Sequence, residues 1–334
     1  MRSVVLAILA ATILGSSARA EDSVSVQLDY VVRGTHAMFF VAKQKGYFAK
    51  QGINVTAIRR GTGSPNAMRL VGNGDAEFGF GDLPTLAVAR SQNVPVVALA
   101  AVNQHSPLAM LALASKHKLD KPQDLKGLNI GVQPSGSTYV FLMAFLKANG
   151  MSLDDIKQST VNPPYENYLL LGRVDAVPGY LDAEVPELEA KAGGPGSLSI
   201  MQGSKFGYVV YGSGLFTSEK MIAEHSDVVQ RFVNAYLQAF GDVMKNPEEA
   251  ADLIAKENPD YAEKKDVLLE QIKADVSHTF TGPDTKVNGL GAMNLDTWTK
   301  TISTLLDQSA MKQPTDAAKV FTDKYQTAAN PAKL

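Results

Sequence analysis

The chain has 334 residues, of which 45% are hydrophobic and 20% charged, and its formal net charge is -2 at pH 7. This balance is typical of a globular protein of two domains, or of one domain built as two lobes, and excludes a mainly disordered or collagen-like chain. The lack of a basic excess argues against nucleic acid and anionic membranes as partners. The lack of cysteine excludes disulfides, cysteine nucleophiles and thiolate metal sites.

The first twenty residues have the pattern of an export signal. Met1-Arg2 gives a basic start, residues 4–14 form an apolar run, and Ala18-Arg19-Ala20 places small residues in an A-x-A arrangement. This predicts a secretory signal peptide cleaved after Ala20 and a periplasmic mature chain. Because the apolar run is too short to cross a bilayer as a helix, we expect no membrane insertion of the mature chain. The alternative is a buried N-terminal helix.

Next, short apolar segments alternate with helical ones. The pattern predicts strands at residues 24–28, 53–58, 76–80 and 94–102. It predicts helices between them at residues 37–46, 65–73 and 84–90. This rhythm predicts a parallel sheet with covering helices.

A second module of the same kind begins near Leu108. Strands are predicted at residues 108–114, 129–133, 160–162 and 176–180, with helices at 138–148 and 165–172. Residues 208–212 are predicted to return as a strand to the first module, and the chain from Ser218 onward is predicted to be mostly helical.

The second module is therefore inserted into the first. We predict an α/β, bilobed protein with two parallel-sheet lobes joined by a hinge near Ser106 and Gly207. Residues 21–107 and 207–334 form the first lobe and residues 108–206 the second. The cleft between such lobes is a favoured ligand site, because loops at the carboxyl ends of the strands converge there.

No catalytic constellation emerges from the sequence. Its five histidines are scattered, and it has neither a Gly-x-Ser-x-Gly elbow nor a dinucleotide fingerprint. The Gly61 to Ser64 turn lacks the lysine of a phosphate-binding Walker loop. We therefore expect a protein that is not an enzyme and that holds no cofactor or metal.

Short motifs in a fixed order carry a resemblance to a known family. They are Asp29, His36, Gly46-Tyr47-Phe48, Gly61 to Ser64, Gly74 to Gly79, Asp82, Leu125 to Gly127, Ile130 to Val132 and Arg173 to Ala176. Together they resemble the periplasmic substrate-binding proteins of ABC transporters, in the nitrate, sulfonate and taurine class.

Within that class, the chain is most similar to the branch that binds the pyrimidine precursor of thiamine. Asp29, His36 and the Gly-Tyr-Phe element match it, as does Gly179-Tyr180 followed by Glu184. Two positions depart from the branch: Leu181 stands where an aromatic residue is expected, and Val32-Arg33-Gly34 stands in place of Pro-Asn. Both departures lie in expected ligand loops.

The resemblance implies a type II periplasmic-binding-protein fold and a receptor that closes on a small, planar heterocycle. We also expect a monomer, because one cleft per chain is sufficient. The receptor would deliver this ligand to the membrane permease of an ABC importer. Other ligands stay open, namely sulfonates or taurine, riboflavin and aromatic carboxylates. Two other functions stay open as well: a sensor module for a membrane kinase, and a pyrimidine-biosynthetic enzyme, against which the missing cysteine and the export signal count.

The candidate ligand-binding residues lie in loops that follow predicted strands. In the first lobe they are Asp29, Arg33, His36, Gly63, Ser64, Asp82 and Gln104. In the second lobe and at its return they are Ser135, Gly136, Ser137, Thr138, Tyr165, Tyr180, Glu184 and Tyr208.

Each candidate has a chemical reason and a plainer alternative. Arg33 offers fixed donors for a carboxylate, phosphate or ring carbonyl. The turns around Ser64 and Ser137 offer backbone N–H groups at helix N-termini, although Ser64 and Asp82 could simply cap helices. Tyrosines can stack on a planar ligand or pack in the core, and Glu184 can accept from an aminopyrimidine or remain a solvated helix residue.

Overall fold

A computed structural model of the protein describes residues 21–162, 164–257 and 259–329. The predicted signal peptide lies outside the described residues. The strands are β1 (Asp22–Gln27), β2 (Ile53–Arg59), β3 (Phe78–Asp82), β4 (Val96–Ala101), β5 (Leu108–Leu113), β6 (Asn129–Val132), β7 (Lys157–Thr160), β8 (Ala176–Tyr180), β9 (Leu198–Gln202) and β10 (Ser213–Ser218).

Helices surround the strands. They are α1 (Ala37–Gln44), α2 (Tyr47–Lys50), α3 (Ser64–Asn73), α4 (Leu83–Ser91), α5 (Ser137–Ala148), α6 (Glu166–Leu170), α7 (Glu184–Ala192), α8 (Glu219–Glu224), α9 (Ser226–Lys245), α10 (Pro247–Glu257), α11 (Pro259–Ala262), α12 (Lys265–His278), α13 (Pro283–Asn288), α14 (Leu295–Asp307) and α15 (Lys324–Ala329). Within the described ranges, no helix is long and apolar enough to span a membrane.

The strands form two five-stranded sheets, one in each lobe. The first-lobe sheet has the order β2-β1-β3-β10-β4, and the second-lobe sheet has the order β7-β6-β8-β5-β9. The predicted parallel pairing is present for β1 with β2 and β3, and for β6 with β7 and β8. One strand in each sheet, β10 and β5, runs antiparallel to its neighbours. Each of these two strands follows a crossover between the lobes, so it does not arrive from a covering helix as a parallel strand does.

The core of the first lobe lies between its sheet and the long helix α9. Apolar residues recur along α9 at helical spacing, and this buried face consists of Val229, Phe232, Val233, Tyr236 and Phe240. The Phe232 ring stacks on Phe78 of the sheet with a centroid separation of 3.7 Å. Packing of this kind fixes the sheet against its helices and therefore fixes the loops at the strand ends.

Two predicted strands are wrong in position. Residues 208–212 form no strand, and the chain returns to the first sheet through β10 instead. In that segment Val210 accepts a backbone bond from Ser106 and Gly212 donates one to Asn103, so it pairs with the other crossover by single bonds rather than by a ladder. The strand predicted at residues 160–162 lies earlier, at β7. The predicted lobe boundaries near residues 107 and 207 remain a prediction.

Candidate functional site

The predicted ligand residues converge where the two lobes face each other. The loops after β1 and β2 and the start of α3 come from the first lobe, and the loops after β6 and β7 and the end of β8 come from the second. They enclose a cavity of about 20 Å³ that is lined by Asp29, Tyr30, Arg33, Gly63, Ser64, Gln133, Gly136, Ser137, Thr138, Tyr165 and Tyr180. Such a volume has room for about one water molecule, so the lobes are closed on one another.

An ion pair joins the lobes across this cavity. Arg33, in the loop after β1, contacts Glu184 at the first turn of α7 through Nη2 and Oε1. The Tyr165 hydroxyl donates to the same Glu184 oxygen at 2.8 Å, and the Tyr180 backbone N–H donates to the other at 2.7 Å. The Arg33 guanidinium also lies 4.2 Å from the centre of the Tyr30 ring.

Burial strongly perturbs the pKa values of the two groups in this pair. Burial raises the pKa of the Glu184 carboxyl to about 7, against the opposing effect of Arg33. Burial lowers the pKa of Arg33, but Glu184, Tyr165, Tyr30 and Glu166 together raise it above its ordinary value. Glu184 is therefore a buried acceptor that has one cation as its counter-charge.

His36 positions Asp29. The Arg33 backbone N–H donates to His36 Nδ1 at 3.1 Å, so the ring proton sits on Nε2, which donates to Asp29 Oδ1 at 3.0 Å. The Ser64 hydroxyl donates to Asp29 Oδ2 at 3.5 Å and accepts from the Asp82 N–H at 3.1 Å. Since the His36 side chain is buried behind Asp29, Asp29 is the member of this chain that lines the cavity.

Asp82 is the N-cap of α4. Its Oδ2 accepts from the Thr85 N–H at 2.9 Å and from the Thr85 hydroxyl at 2.5 Å. Burial raises the pKa of Asp82 to about 7. The plainer interpretation, a helix cap, is therefore what the contacts of Asp82 show.

The two helix N-termini predicted to face the cleft do approach each other. Gln133 Nε2 donates across the boundary to the Thr62 carbonyl at 2.8 Å. Gly63 has a φ of 143°, and a Cβ there would lie 3.3 Å from the Ser135 carbonyl oxygen. The Ser137 and Tyr180 hydroxyls are hydrogen-bonded at 2.7 Å. This face of the cavity consists mainly of neutral donors and acceptors.

Six predicted residues do not line the cavity. His36, Asp82 and Glu184 each contact a residue that does, whereas the other three have different surroundings. Gln104 donates to the carbonyls of Ala101 and Ala292, at 3.2 and 3.0 Å, and so packs at the crossover. Tyr208 is buried with its ring 5.0 Å from that of Phe141. Ser135 is exposed, and its backbone carbonyl is what approaches Gly63.

Two lining residues, Tyr30 and Gln133, were not predicted. Both lie within three residues of the end of a strand, as Asp29 and Ser135 do, so their positions in the sequence could have indicated them. Among the described residues, no group of three or more His, Cys, Asp or Glu side chains is arranged to hold a metal ion.

Comparison with known proteins places this geometry in a family. A family model described as NMT1/THI5 like matches residues 33–250. The chain belongs to the NMT1/THI5-like family. The resemblance noted from the sequence is thus confirmed.

Three curated relatives illustrate the range of the family. The chain is 26% identical over 310 residues to the formylaminopyrimidine-binding protein of Halalkalibacterium halodurans, covering 92% of each chain. It is 26% identical over 314 residues to the riboflavin-binding protein RibY of Chloroflexus aurantiacus, covering 91% of this chain and 86% of the other. It is 25% identical over 238 residues to the 4-amino-5-hydroxymethyl-2-methylpyrimidine phosphate synthase THI13 of Saccharomyces cerevisiae, covering 69% of each.

Solved structures confirm the fold. The alkanesulfonate-binding protein SsuA of Xanthomonas axonopodis pv. citri matches with a TM-score of 0.70 at 16% identity, covering 91% of this chain and 99% of that one. A Candida albicans protein described as having the generic periplasmic binding protein fold matches with a TM-score of 0.68 at 15% identity, covering 90% and 96%. The family's bilobed periplasmic-binding-protein fold is therefore the fold of this chain.

Proposed function

We propose that this protein is a solute-binding receptor of an ABC importer, and that its ligand is a small planar heterocycle related to the thiamine pyrimidine precursor. One observation carries the proposal: the buried Glu184 carboxylate lies between the lobes, with the aromatic rings of Tyr30, Tyr165 and Tyr180 around its contacts. A carboxylate accepts from the exocyclic amino group of an aminopyrimidine, and tyrosine rings stack on the faces of its ring. A relative matched along nearly its whole length is named for a formylaminopyrimidine.

Ligand entry requires the lobes to separate. The cavity of about 20 Å³ is far smaller than the few hundred Å³ of an ordinary small-molecule site. Opening would part Arg33 from Glu184 and free both. A bound heterocycle would then take the place of Arg33 on Glu184, while Arg33 would turn to a formyl or ring carbonyl oxygen. The ligand stabilises the closed form through contacts with both lobes.

The cellular setting completes the proposal. The chain is exported, cleaved after Ala20 and works in the periplasm as a monomer. The crossovers at residues 102–107 and 207–212 serve as the hinge. The closed shape is what a separate membrane permease recognises. A permease and an ATPase encoded beside this chain would support transport, whereas a membrane kinase alone would support sensing.

Calorimetric titration of the mature chain tests the ligand. The candidates are formylaminopyrimidine, hydroxymethylpyrimidine, riboflavin, an aromatic carboxylate, taurine and an alkanesulfonate. We expect one of the two pyrimidines to bind most tightly and Glu184→Gln to weaken that binding by at least about tenfold, because a hydrogen bond to a charged group is lost. Glu189→Gln, on the same helix, is the matched control.

Two outcomes contradict the proposal in different ways. Binding of sulfonates alone would overturn the heterocycle and leave the receptor class standing. Chemical turnover of a bound pyrimidine would overturn the receptor in favour of an enzyme, the alternative that the yeast synthase relative supports.

A further inference from the structure

Two buried carboxyl groups meet at the lobe boundary, beside the first crossover and outside the ligand cavity. Asp182 lies between β8 and α7 in the second lobe, and Asp275 lies on α12 in the first. Their residues are 4% and 0% exposed. Asn103, in the crossover, places its Nδ2 3.3 Å from Asp182 Oδ2 and 2.7 Å from Asp275 Oδ1. A single amide group thus contacts one carboxyl from each lobe.

The contacts of this carboxyl pair favour a bound proton. The two carboxyl groups share one donor, the Asn103 amide, and an ionised carboxylate can only accept. Asp182 Oδ1 and Asp275 Oδ2 are buried and have no N–H or O–H donor elsewhere in the described protein. With so few donors and two like charges in one buried site, the pair is stabilised when one of the two groups is a carboxylic acid.

The surroundings of the pair supply little positive charge. Thr279 donates its hydroxyl to Asp275 Oδ1 at 2.6 Å, and the Arg33 cation acts on Asp182 while it is paired with Glu184. The other titratable groups that act on the pair or line the adjacent cavity are His105, Glu189, Tyr208, Tyr236, Glu270, Lys273 and His278. Burial raises the pKa of both aspartates, and the facing Asp182 raises that of Asp275 further.

A route to solvent lies next to the pair. Asp182 lines a cavity of about 920 Å³, whose walls come from the crossovers, α7 and α12. A cavity of this size holds water, so protons can reach and leave the pair without unfolding of the chain. The walls come from both lobes, and hence its shape changes if the lobes move.

We propose that Asp182 and Asp275 form a proton-operated latch at the hinge, which holds the lobes closed with one shared proton and releases them when that proton leaves. This inference rests on the lobe motion of the proposed function. Loss of the proton leaves two like charges in one buried site, and separation of the lobes returns both to water. The closed form therefore binds one more proton than the open form.

The direction of the pH response follows from this difference in bound protons. Between the ordinary aspartate pKa, near 4, and the raised pKa of the pair, a rise in pH shifts the equilibrium toward the open form by up to about tenfold per pH unit. Acidification over the same range favours closure, with or without a ligand.

Distance measurement between two labels tests the latch directly. Because the chain has no cysteine, Arg69→Cys in the first lobe and Lys147→Cys in the second give two unique spin-label sites, both exposed. Without added ligand, we expect the distance distribution to shift toward the open form as pH rises from about 5 to about 9. Asp275→Asn should stay closed throughout, since its amide donates to Asp182 with no proton to lose.

Asp266→Asn is the matched control, because it removes an exposed carboxyl from the same helix. It should behave as the parent chain does. Asp182→Asn is the second variant if Asp275→Asn fails to fold, as judged by circular dichroism.

The outcomes separate this inference from the proposed function. If formylaminopyrimidine closes the lobes but pH does not move them, the latch is overturned and the receptor stands. If Asp275→Asn and Asp182→Asn keep the full pH response, the proton lies elsewhere and the latch is again overturned. If neither pH nor any tested solute changes the distance, the lobe motion itself is absent and both proposals fail.

Discussion

Arg33 is the residue at which this chain departs from the branch it resembles, and it has a partner in the other lobe. Its side chain is 11% exposed and that of Glu184 is 1% exposed. Removing one member of a buried pair leaves an uncompensated charge, which is far more costly than the loss of a surface pair. The departure therefore replaces a neutral loop by an electrostatic contact between the lobes.

Replacing Arg33 should destabilise the protein in a pH-dependent way. We expect Arg33→Met to lower the free energy of unfolding by about 3–5 kcal/mol near pH 8. The loss should be smaller near pH 5, because Glu184, with its pKa raised to about 7, is then neutral. Urea unfolding at pH 8 and at pH 5 measures the loss of stability at each pH. Arg60→Met is the control: its pair with Asp260 is exposed, so its loss should cost at most about 1 kcal/mol. If Arg33→Met and Arg60→Met lowered the free energy of unfolding equally, Glu184 would be solvated and the prediction would be wrong.

Asp82 should give the wild-type protein a stability that falls as pH rises. Its pKa is about 7 in the folded chain and near 4 when unfolded, so the folded state binds the extra proton between these values. We expect a loss of roughly 1–4 kcal/mol from pH 4 to pH 8. Asp82→Asn keeps a capping side chain. It should make the free energy of unfolding, measured with urea, depend much less on pH. An unchanged slope would contradict the raised pKa.

The individual side chains of the site were only partly predictable. Asp29 and Ser64 could be placed at the cleft because each sits where a strand ends. The role of His36 could not, because it depends on the Arg33 backbone N–H that fixes the ring proton. The partner of Arg33 could not be predicted either, since Glu184 is 151 positions away along the chain.

At the scale of elements, the approach of α3 to α5 depends on a residue without a side chain. Gly63→Ala should therefore weaken ligand binding by about tenfold and destabilise the fold by about 1–3 kcal/mol, because its φ of 143° strains an alanine and its Cβ meets the Ser135 carbonyl. Calorimetry with the pyrimidine of the proposed function measures the loss of affinity, and urea unfolding measures the loss of stability.

Gly193→Ala is the matched control. Its φ is 112°, and a Cβ there meets nothing within 4 Å. It should show a comparable loss of stability and no loss of affinity. Equal affinity for both variants would mean that the two helix N-termini do not need to meet.

Elements whose pattern is complete within a segment were well predicted. Strand β2 and helix α3 were each found within two residues of their expected ends, because one face of each is consistently buried. The antiparallel direction of β5 and β10 could not be predicted in this way. Strand β5 is a continuous apolar run, which has the same appearance in a parallel and in an antiparallel strand. Strand β10 was not predicted at all, because Leu215 and Phe216 are its only large apolar residues.

For the whole molecule, the closed arrangement is supported by contacts that need no ligand. Tyr30, from the first lobe, packs into a hydrophobic cluster made otherwise of second-lobe residues. Its ring lies 5.9 Å from that of Tyr165 and beneath the Arg33 guanidinium. A receptor held shut in this way binds its ligand only from the fraction of molecules that is open.

Weakening this contact should open the ligand-free molecule. We expect Tyr30→Ala to increase the radius of gyration measured by small-angle X-ray scattering and to speed ligand association, because a larger fraction is then open. Dissociation should also become faster, since a ring that stacks on a planar ligand contributes about 0.5–1.5 kcal/mol. Tyr261→Ala is the control: that ring also lies over an arginine, Arg60 at 5.3 Å, but entirely within the first lobe, so the radius should not change. An unchanged radius in both variants would mean that the lobes are held together by the Arg33 pair and the hinge contacts alone.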